Sequence, residues 1–223
     1  MTSVLVTGAN RGLGLEFTKQ YAESGCRVFA TARDPGRAHE LSQLARKLPH
    51  VSVHALDVRS SESVRELASS LRDEAIDILL CNAGVMGPKR QSVGQIDYTG
   101  MLETIDINAL GPLRVAEAFV EQVARSERKL MVAITSGMGS ISDSSGGSYA
   151  YRASKAALNM TFHNLALDLK GRGIIAFVIN PGWVQTDMGG ASAPLSPQQS
   201  IAAMRRVFDG MTMEQTGRFM NYQ

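Results

Sequence analysis

A chain of 223 residues is long enough for one large hydrophobic core, and α/β chains of this length commonly stay one domain. Its 23 basic and 21 acidic residues leave a net charge of +2, too even for a nucleic-acid or membrane-surface footprint built on charge. Met1-Thr2-Ser3 leads straight into an apolar run of strand length, with no basic start and no long apolar stretch, so a soluble, cytoplasmic protein is expected.

Short apolar runs alternate with longer segments of helical period, the pattern of βαβ units joined into a parallel sheet buried on both faces. The spacing predicts a first strand over Val4–Thr7 and a helix over Gly12–Ser24, then a strand over Arg27–Thr31 and a helix over Arg37–Lys47. A third strand is expected over Val51–Leu56, a helix over Ser61–Asp73, and a fourth strand over Ile76–Cys81. One long helix over Met101–Arg125 leads to a strand over Leu130–Thr135, and a helix over Ala150–Lys170 leads to a strand over Ile174–Ile179. A Ser-Pro start opens a helical pattern over Ser196–Phe208, and Gly217–Tyr222 holds a last short strand. Right-handed crossovers then give a doubly wound parallel α/β sheet of Rossmann type, one domain over residues 1–223. The Gly/Ser-rich segment Ser142–Ser148 reads as a loop beside a site. Cys26 and Cys81 lie in apolar segments and read as packing thiols.

The first strand runs into Thr7-Gly8-Ala9-Asn10-Arg11-Gly12-Leu13-Gly14, so three glycines stand where strand passes to helix. Glycines there let the backbone approach a pyrophosphate, and the unpaired N–H groups at the helix start favour an anion. The spacing is G-x-x-x-G-x-G, unlike the common G-x-G-x-x-G fingerprint, and by itself it also describes a plain tight βα turn.

With these glycines the chain resembles the short-chain dehydrogenase/reductase family, whose signature is T-G-x-x-x-G-x-G. Further matches follow in family order along nearly the whole chain: Asp57-Val58, Asn82-Ala83-Gly84, Asn108, Ser136, the Tyr151-Arg152-Ala153-Ser154-Lys155 run and Pro181-Gly182. The resemblance implies that Gly8, Asn10, Gly12, Leu13 and Gly14 cradle a dinucleotide and that Asp57, beside Val58, bonds the adenine. Asn82, Ala83 and Gly84 then border its ribose, and Pro181 through Thr186, with Gly182 and Val184, wrap the nicotinamide. Thr7–Glu16, Ser136–Ile141 and Ser145–Asn159 are most similar to the carbonyl-reductase-like branch that includes the bacterial C-factor and insect sniffer proteins.

A carboxylate at the end of the second strand would bond the 2′-hydroxyl of NAD and repel a 2′-phosphate. That place reads as Ala32 followed by Arg33, and Arg11 offers a second guanidinium to a phosphate, so NADP(H) is predicted over NAD(H). Asp34 is the competing reading, since a shift of one residue brings its carboxylate to the ribose.

Tyr151 and Lys155, four apart on a helix, share a face. A phenol of ordinary pKa about 10 needs a nearby ammonium to trade protons near neutrality, and Lys155 with oxidised nicotinamide is expected to lower it. Ser136 ends a parallel strand on its carboxyl edge, where its hydroxyl can donate to a substrate carbonyl. The Ser136–Tyr151 separation is slightly longer than the family's, which keeps Ser140 as an alternative. The resemblance assigns Asn108 the support of a water that links the lysine to solvent. The resulting expectation is hydride transfer from the nicotinamide C4 to the carbonyl carbon of an aldehyde, ketone or quinone, with Tyr151 protonating the oxygen and no metal, since His39, His50, His54 and His163 share no chelating spacing.

Met86, Met138, Trp183 and Met188 are candidates for an adaptable apolar substrate pocket, and equally for core packing. The stretch Asp187–Leu195 is short, which predicts an open site for a small-molecule carbonyl or alcohol. The resemblance also implies a homodimer or homotetramer, with Leu158, Phe162 and Leu165 suited either to that interface or to the sheet. The C-factor resemblance supplies a second hypothesis, a dinucleotide-binding signalling protein with secondary catalysis.

Overall fold

The computed structural model describes residues 1–223. Seven parallel strands form one sheet in the order β3-β2-β1-β4-β5-β6-β7, a doubly wound Rossmann-type single domain. They are β1 (Ser3–Val6), β2 (Arg27–Ala32), β3 (Val51–Ala55), β4 (Ile78–Cys81), β5 (Leu130–Ile134), β6 (Ile175–Asn180) and β7 (Phe219–Asn221). The order turns back between β1 and β4, and at such a reversal the carboxyl ends of the strands open a crevice.

Successive residues of a strand face opposite sides, so each strand feeds two cores. Leu5, Phe29, Leu79, Met131, Ala133, Ala176 and Val178 pack against α3 (Ser61–Ser70), α5 (Gly111–Ala118), α6 (Val120–Ala124) and α7 (Tyr149–Leu169). Val4, Val6, Val28, Ala30, Ile78, Leu80, Val132, Phe177 and Ile179 pack against α1 (Gly12–Glu23), α2 (His39–Lys47) and α8 (Pro197–Asp209). Leu158 and Phe162 of α7 belong to the first of these cores, so they face the sheet. Cys81 is buried at the end of β4, and Cys26, placed by its apolar neighbours in a strand, sits half-buried just before β2; neither is in a disulfide.

The predicted strands and most helices stand within one or two residues of the observed ones, and α3 ends three residues before the expected Asp73. The larger exception is the helix expected over Met101–Arg125. It begins earlier, as α4 (Tyr98–Ile105), because Asp97 caps it by accepting from Gly100 N–H at 2.9 Å. It then passes through a π turn, Asp106–Leu110, before α5 and α6. Pro112 lacks the N–H that an α-helix would send to Asn108, so the ladder slips to the wider repeat; Gly111 N–H donates to Asp106 O.

Candidate functional site

The crevice is a cleft of about 1020 Å³ running along the carboxyl edge of the sheet. All the sequence-predicted site residues line it except Gly14 and Asn108, which sit beneath its floor.

At its centre, the glycine turn is shaped by contacts that no other residue permits. Gly8 and Gly12 have φ of +67° and +55°, and a Cβ on Gly14 would lie 2.2 Å from Gly8 O. The Asn82 amide donates to Thr7 O and Gly8 O at 2.9 and 3.1 Å, and Asn82 and Ala83 N–H donate to Thr7 Oγ1. Asn82 therefore clamps the turn from beneath, between β1 and β4. Arg11 caps α1 without a side-chain hydrogen bond, leaving the first N–H groups of a twelve-residue helix open to an anion. Its guanidinium instead pairs with Asp187 across the mouth of the cleft at 2.5 Å.

One end of the cleft is basic. β2 ends at Ala32, one residue past the expected Thr31 and at the place read for cofactor choice, and Arg33 follows in the cleft wall. Asp34 Oδ1 accepts from Gly36 N–H at 3.1 Å, capping the short turn Pro35–Arg37, and Asp34 also lines the cleft beside Arg33. That turn delivers Arg37, which the sequence reading missed, to the wall beside Arg33. Asp57 is held by Arg59, from Nη2 to Oδ2 at 2.7 Å and from Nε to Oδ1 at 3.1 Å. Hydrogen bonding to Arg59 holds the Asp57 carboxyl below its ordinary value. Arg59 was also unread in the sequence; a charge two residues from Asp57 carries no local signal of pairing.

At the other end Tyr151 and Lys155 lie one turn apart on α7, both buried, with Lys155 Nζ 5.7 Å from the phenol ring centroid. Lys155 Nζ donates to Ile134 O at 2.8 Å, and burial brings its pKa down to about 8. Burial pushes the Tyr151 phenol up, against an opposing hydrogen bond from Ser136. In the chain alone desolvation dominates both groups; the lowering expected of Tyr151 is for Lys155 acting together with oxidised nicotinamide. Ser136 lines the cleft and its Oγ accepts from Met138 N–H at 3.1 Å, while Ser140 is turned into the surface loop, donating to Asp143 Oδ2 at 2.8 Å.

Asn108 is fully buried. Its amide takes both backbone groups of Val85 at 2.8 Å and donates to Ser154 Oγ at 2.9 Å. It fixes the segment after Gly84 against α7. Gln91 adds a support that sequence reasoning missed: Ser148, before α7, has left-handed backbone and no capping side chain. Gln91 Oε1, from a loop 59 residues earlier, accepts the Ala150 N–H at 2.8 Å. Next to this end Met86, Met138, Trp183 and Met188 share the cleft wall, and Trp183 Nε1 donates to Gly189 O at 2.7 Å, which folds their loop.

The chain matches the short chain dehydrogenase family over residues 2–195. It is 43% identical over 161 residues to C-signal of Myxococcus xanthus, covering 72% of this chain and 96% of that protein. It is 36% identical over 229 residues to a 1-hydroxy-2-glutathionyl-2-methyl-3-butene dehydrogenase of Rhodococcus sp., covering 99% and 96%. Carbonyl reductase Sniffer of D. melanogaster superposes with a TM-score of 0.92 at 32% identity, over 100% of this chain and 97% of that one. An NADPH-bound carbonyl reductase from chicken fatty liver gives a TM-score of 0.92 at 32% identity, over 100% and 96%. With the glycine turn, the Asn82 clamp and the Tyr151/Lys155 face in one cleft, the chain belongs to the short-chain dehydrogenase/reductase family, in its C-factor and sniffer-like branch.

Proposed function

We propose that this protein, as one dinucleotide-binding unit over residues 1–223, is an NADP(H)-dependent oxidoreductase that reduces an aldehyde, ketone or quinone to an alcohol. The observation that carries the reading is one cleft with an arginine-lined end at Arg33 and Arg37 and, at the other end, a half-buried Ser136 beside the buried Tyr151 and Lys155. The cradle fits a dinucleotide: a Cβ at Gly8 would lie 2.9 Å from Ala83 Cα, and the uncapped start of α1 opens beside it.

Gly8, Asn10, Gly12 and Leu13 would hold the pyrophosphate, with Gly14 beneath the turn. Arg33 and Arg37 would hold the 2′-phosphate, Asp57 and Val58 the adenine, and Asn82, Ala83 and Gly84 its ribose. Pro181, Gly182, Val184 and Thr186 would border the nicotinamide. Arg11 in its pair with Asp187 lies toward the nicotinamide side, so the 2′-phosphate falls to Arg33 and Arg37. Bound there, NADPH supplies a hydride from nicotinamide C4 to the carbonyl carbon.

The raised phenol keeps Tyr151 protonated near neutrality, which suits Oη to donate its proton to the carbonyl oxygen. Ser136 Oγ–H donates to the same oxygen and fixes its direction. Lys155, with N–H groups to spare beyond Ile134 O, holds the ribose and stabilises the phenolate left after transfer. Asn108 completes the proton path by fixing Val85 and Ser154 on either side of it. Met86, Met138, Trp183 and Met188, the last two 56% and 44% exposed, would receive an uncharged carbonyl at an open mouth.

No helix is long and apolar enough to cross a membrane, and we place the protein in the cytoplasm. A homodimer or homotetramer is also part of this reading, supported by the exposed Leu102, Met160 and Leu167 on α4 and α7. The test is NADPH consumption against a panel of aldehydes, ketones and quinones. Tyr151→Phe should lower turnover by about 10²- to 10⁴-fold with NADPH affinity unchanged; retained turnover overturns the assignment. The match to C-signal favours a second reading, a dinucleotide-binding signalling protein, which predicts NADPH binding with no consumption across the panel.

A further inference from the structure

We propose that Arg114 is a positioning residue that carries occupancy of the adenosine end of the cleft to the Asn108–Val85 clamp beside Lys155; this rests on the dinucleotide reading above. Arg114 Nη1 donates to Val58 O at 3.1 Å, and Nη2 donates to Asp106 Oδ1. Val58 lines the adenosine end. Gly111, on the same helix, closes on its side chain, since a Cβ there would lie 2.9 Å from Val58 Cγ2. The adenosine wall is thus fastened to the π turn at two points.

The π turn is what makes the fastening fit. Asp106 and Arg114 are eight residues apart. In a regular α-helix that separation overshoots two turns by about 80°, so the two side chains would diverge. The extra residue of the π turn makes it equivalent to a separation of seven, within about 20° of two full turns, and both side chains fall on one face. The pair is only 25% and 31% exposed, so solvent screens it less than a free surface pair.

Two residues beyond Asp106, the same turn presents Asn108 to Val85 N–H and O and to Ser154 Oγ. A Cβ on Gly84 would lie 3.2 Å from Asn108 Oδ1 and 3.8 Å from Lys155 Nζ, so this clamp sets the wall against which Lys155 rests. A ligand pressed on Val58 favours the arrangement in which Arg114 holds both Val58 and Asp106, and through Asp106 the turn that aims Asn108. Binding far from the reacting carbon is in this way spent on ordering the reacting end.

The Val85 amide reports the clamp directly, because its N–H donates to Asn108 Oδ1 at 2.8 Å. Adenosine 2′,5′-bisphosphate, which has no nicotinamide, is the probe, with calorimetry to establish saturation and hydrogen exchange to follow Val85. Saturation should slow Val85 exchange about fivefold in the unmodified protein and less than about twofold in Arg114→Met, with Arg114→Lys in between. Equal slowing in the unmodified protein and Arg114→Met, or none in the unmodified protein with the probe bound, overturns the proposal. Should Arg114→Met fail to fold, Asp106→Asn takes its place under the same criterion. A probe that does not bind the unmodified protein removes the dinucleotide reading and this proposal together, an outcome the calorimetry separates from the others.

Discussion

Lys155→Met tests whether the amine buried at the head of α7 costs the fold stability. Lys155 is 5% exposed, and its pKa falls from an ordinary 10.5 to about 8 through burial alone. That difference corresponds to about 3 kcal/mol of unfavourable desolvation of the ammonium. The folded pKa lies below the unfolded one, so the penalty is fully present below about pH 8. It fades as pH climbs toward 10.5, where the unfolded chain alone still binds the proton. Methionine removes the charge and fills a similar volume, but it abandons the hydrogen bond to Ile134 O, worth about 1 kcal/mol.

The net expectation is a variant about 2 kcal/mol more stable at pH 6.5, and about 1 kcal/mol less stable than the unmodified protein near pH 10.5. In a domain of this size the first figure raises Tm by about 4–8 °C. Urea unfolding at a series of pH values measures the curve, and NADPH consumption measures the accompanying loss of turnover. A variant destabilised at pH 6.5, or a difference that does not change with pH, would refute the reasoning. A gain in stability with a loss of turnover is the pattern of a group retained for chemistry.

The two serines separate just as sharply. Ser136→Ala should lower kcat by about 10²- to 10³-fold, as loss of a donor to a developing oxyanion does, while Ser140→Ala, whose hydroxyl is committed to Asp143, should stay within about twofold. The reverse ranking in steady-state assays would move the role to Ser140. Arg33→Ala with Arg37→Ala should weaken NADPH binding at least about a hundredfold, since each guanidinium would lose a charge-assisted bond to the 2′-phosphate, with NADH affinity nearly unchanged. Parallel titrations of both cofactors decide it, and an equal loss for NADH would assign the arginines to the fold instead.

The parallel sheet, its two-sided burial and the glycine turn were legible in the sequence because each is a local pattern: period-two or continuous apolar runs, and glycines at a strand-to-helix passage. Tyr151 and Lys155 were legible as one helical face, and the second strand to within one residue of its end at Ala32. Other features of the site became visible only in the structure. Asp34, the competing reading for the ribose, caps a short turn through Gly36 N–H, and that turn carries Arg37, expected at the start of a helix, into the cleft wall. The helix expected over Met101–Arg125 carries Gly111-Pro112 in its middle. Pro112 and the demands of Val85, Ser154 and Val58 on one stretch of backbone convert its middle into a π turn. The state of Tyr151 and Lys155 was likewise a tertiary matter: sequence placed an ammonium beside a phenol, but depth in the cleft decides that burial raises one pKa and lowers the other. Periodicity records which side of an element is buried. How deeply a charge is buried, and what meets it there, depends on residues that the chain brings back from far along its length.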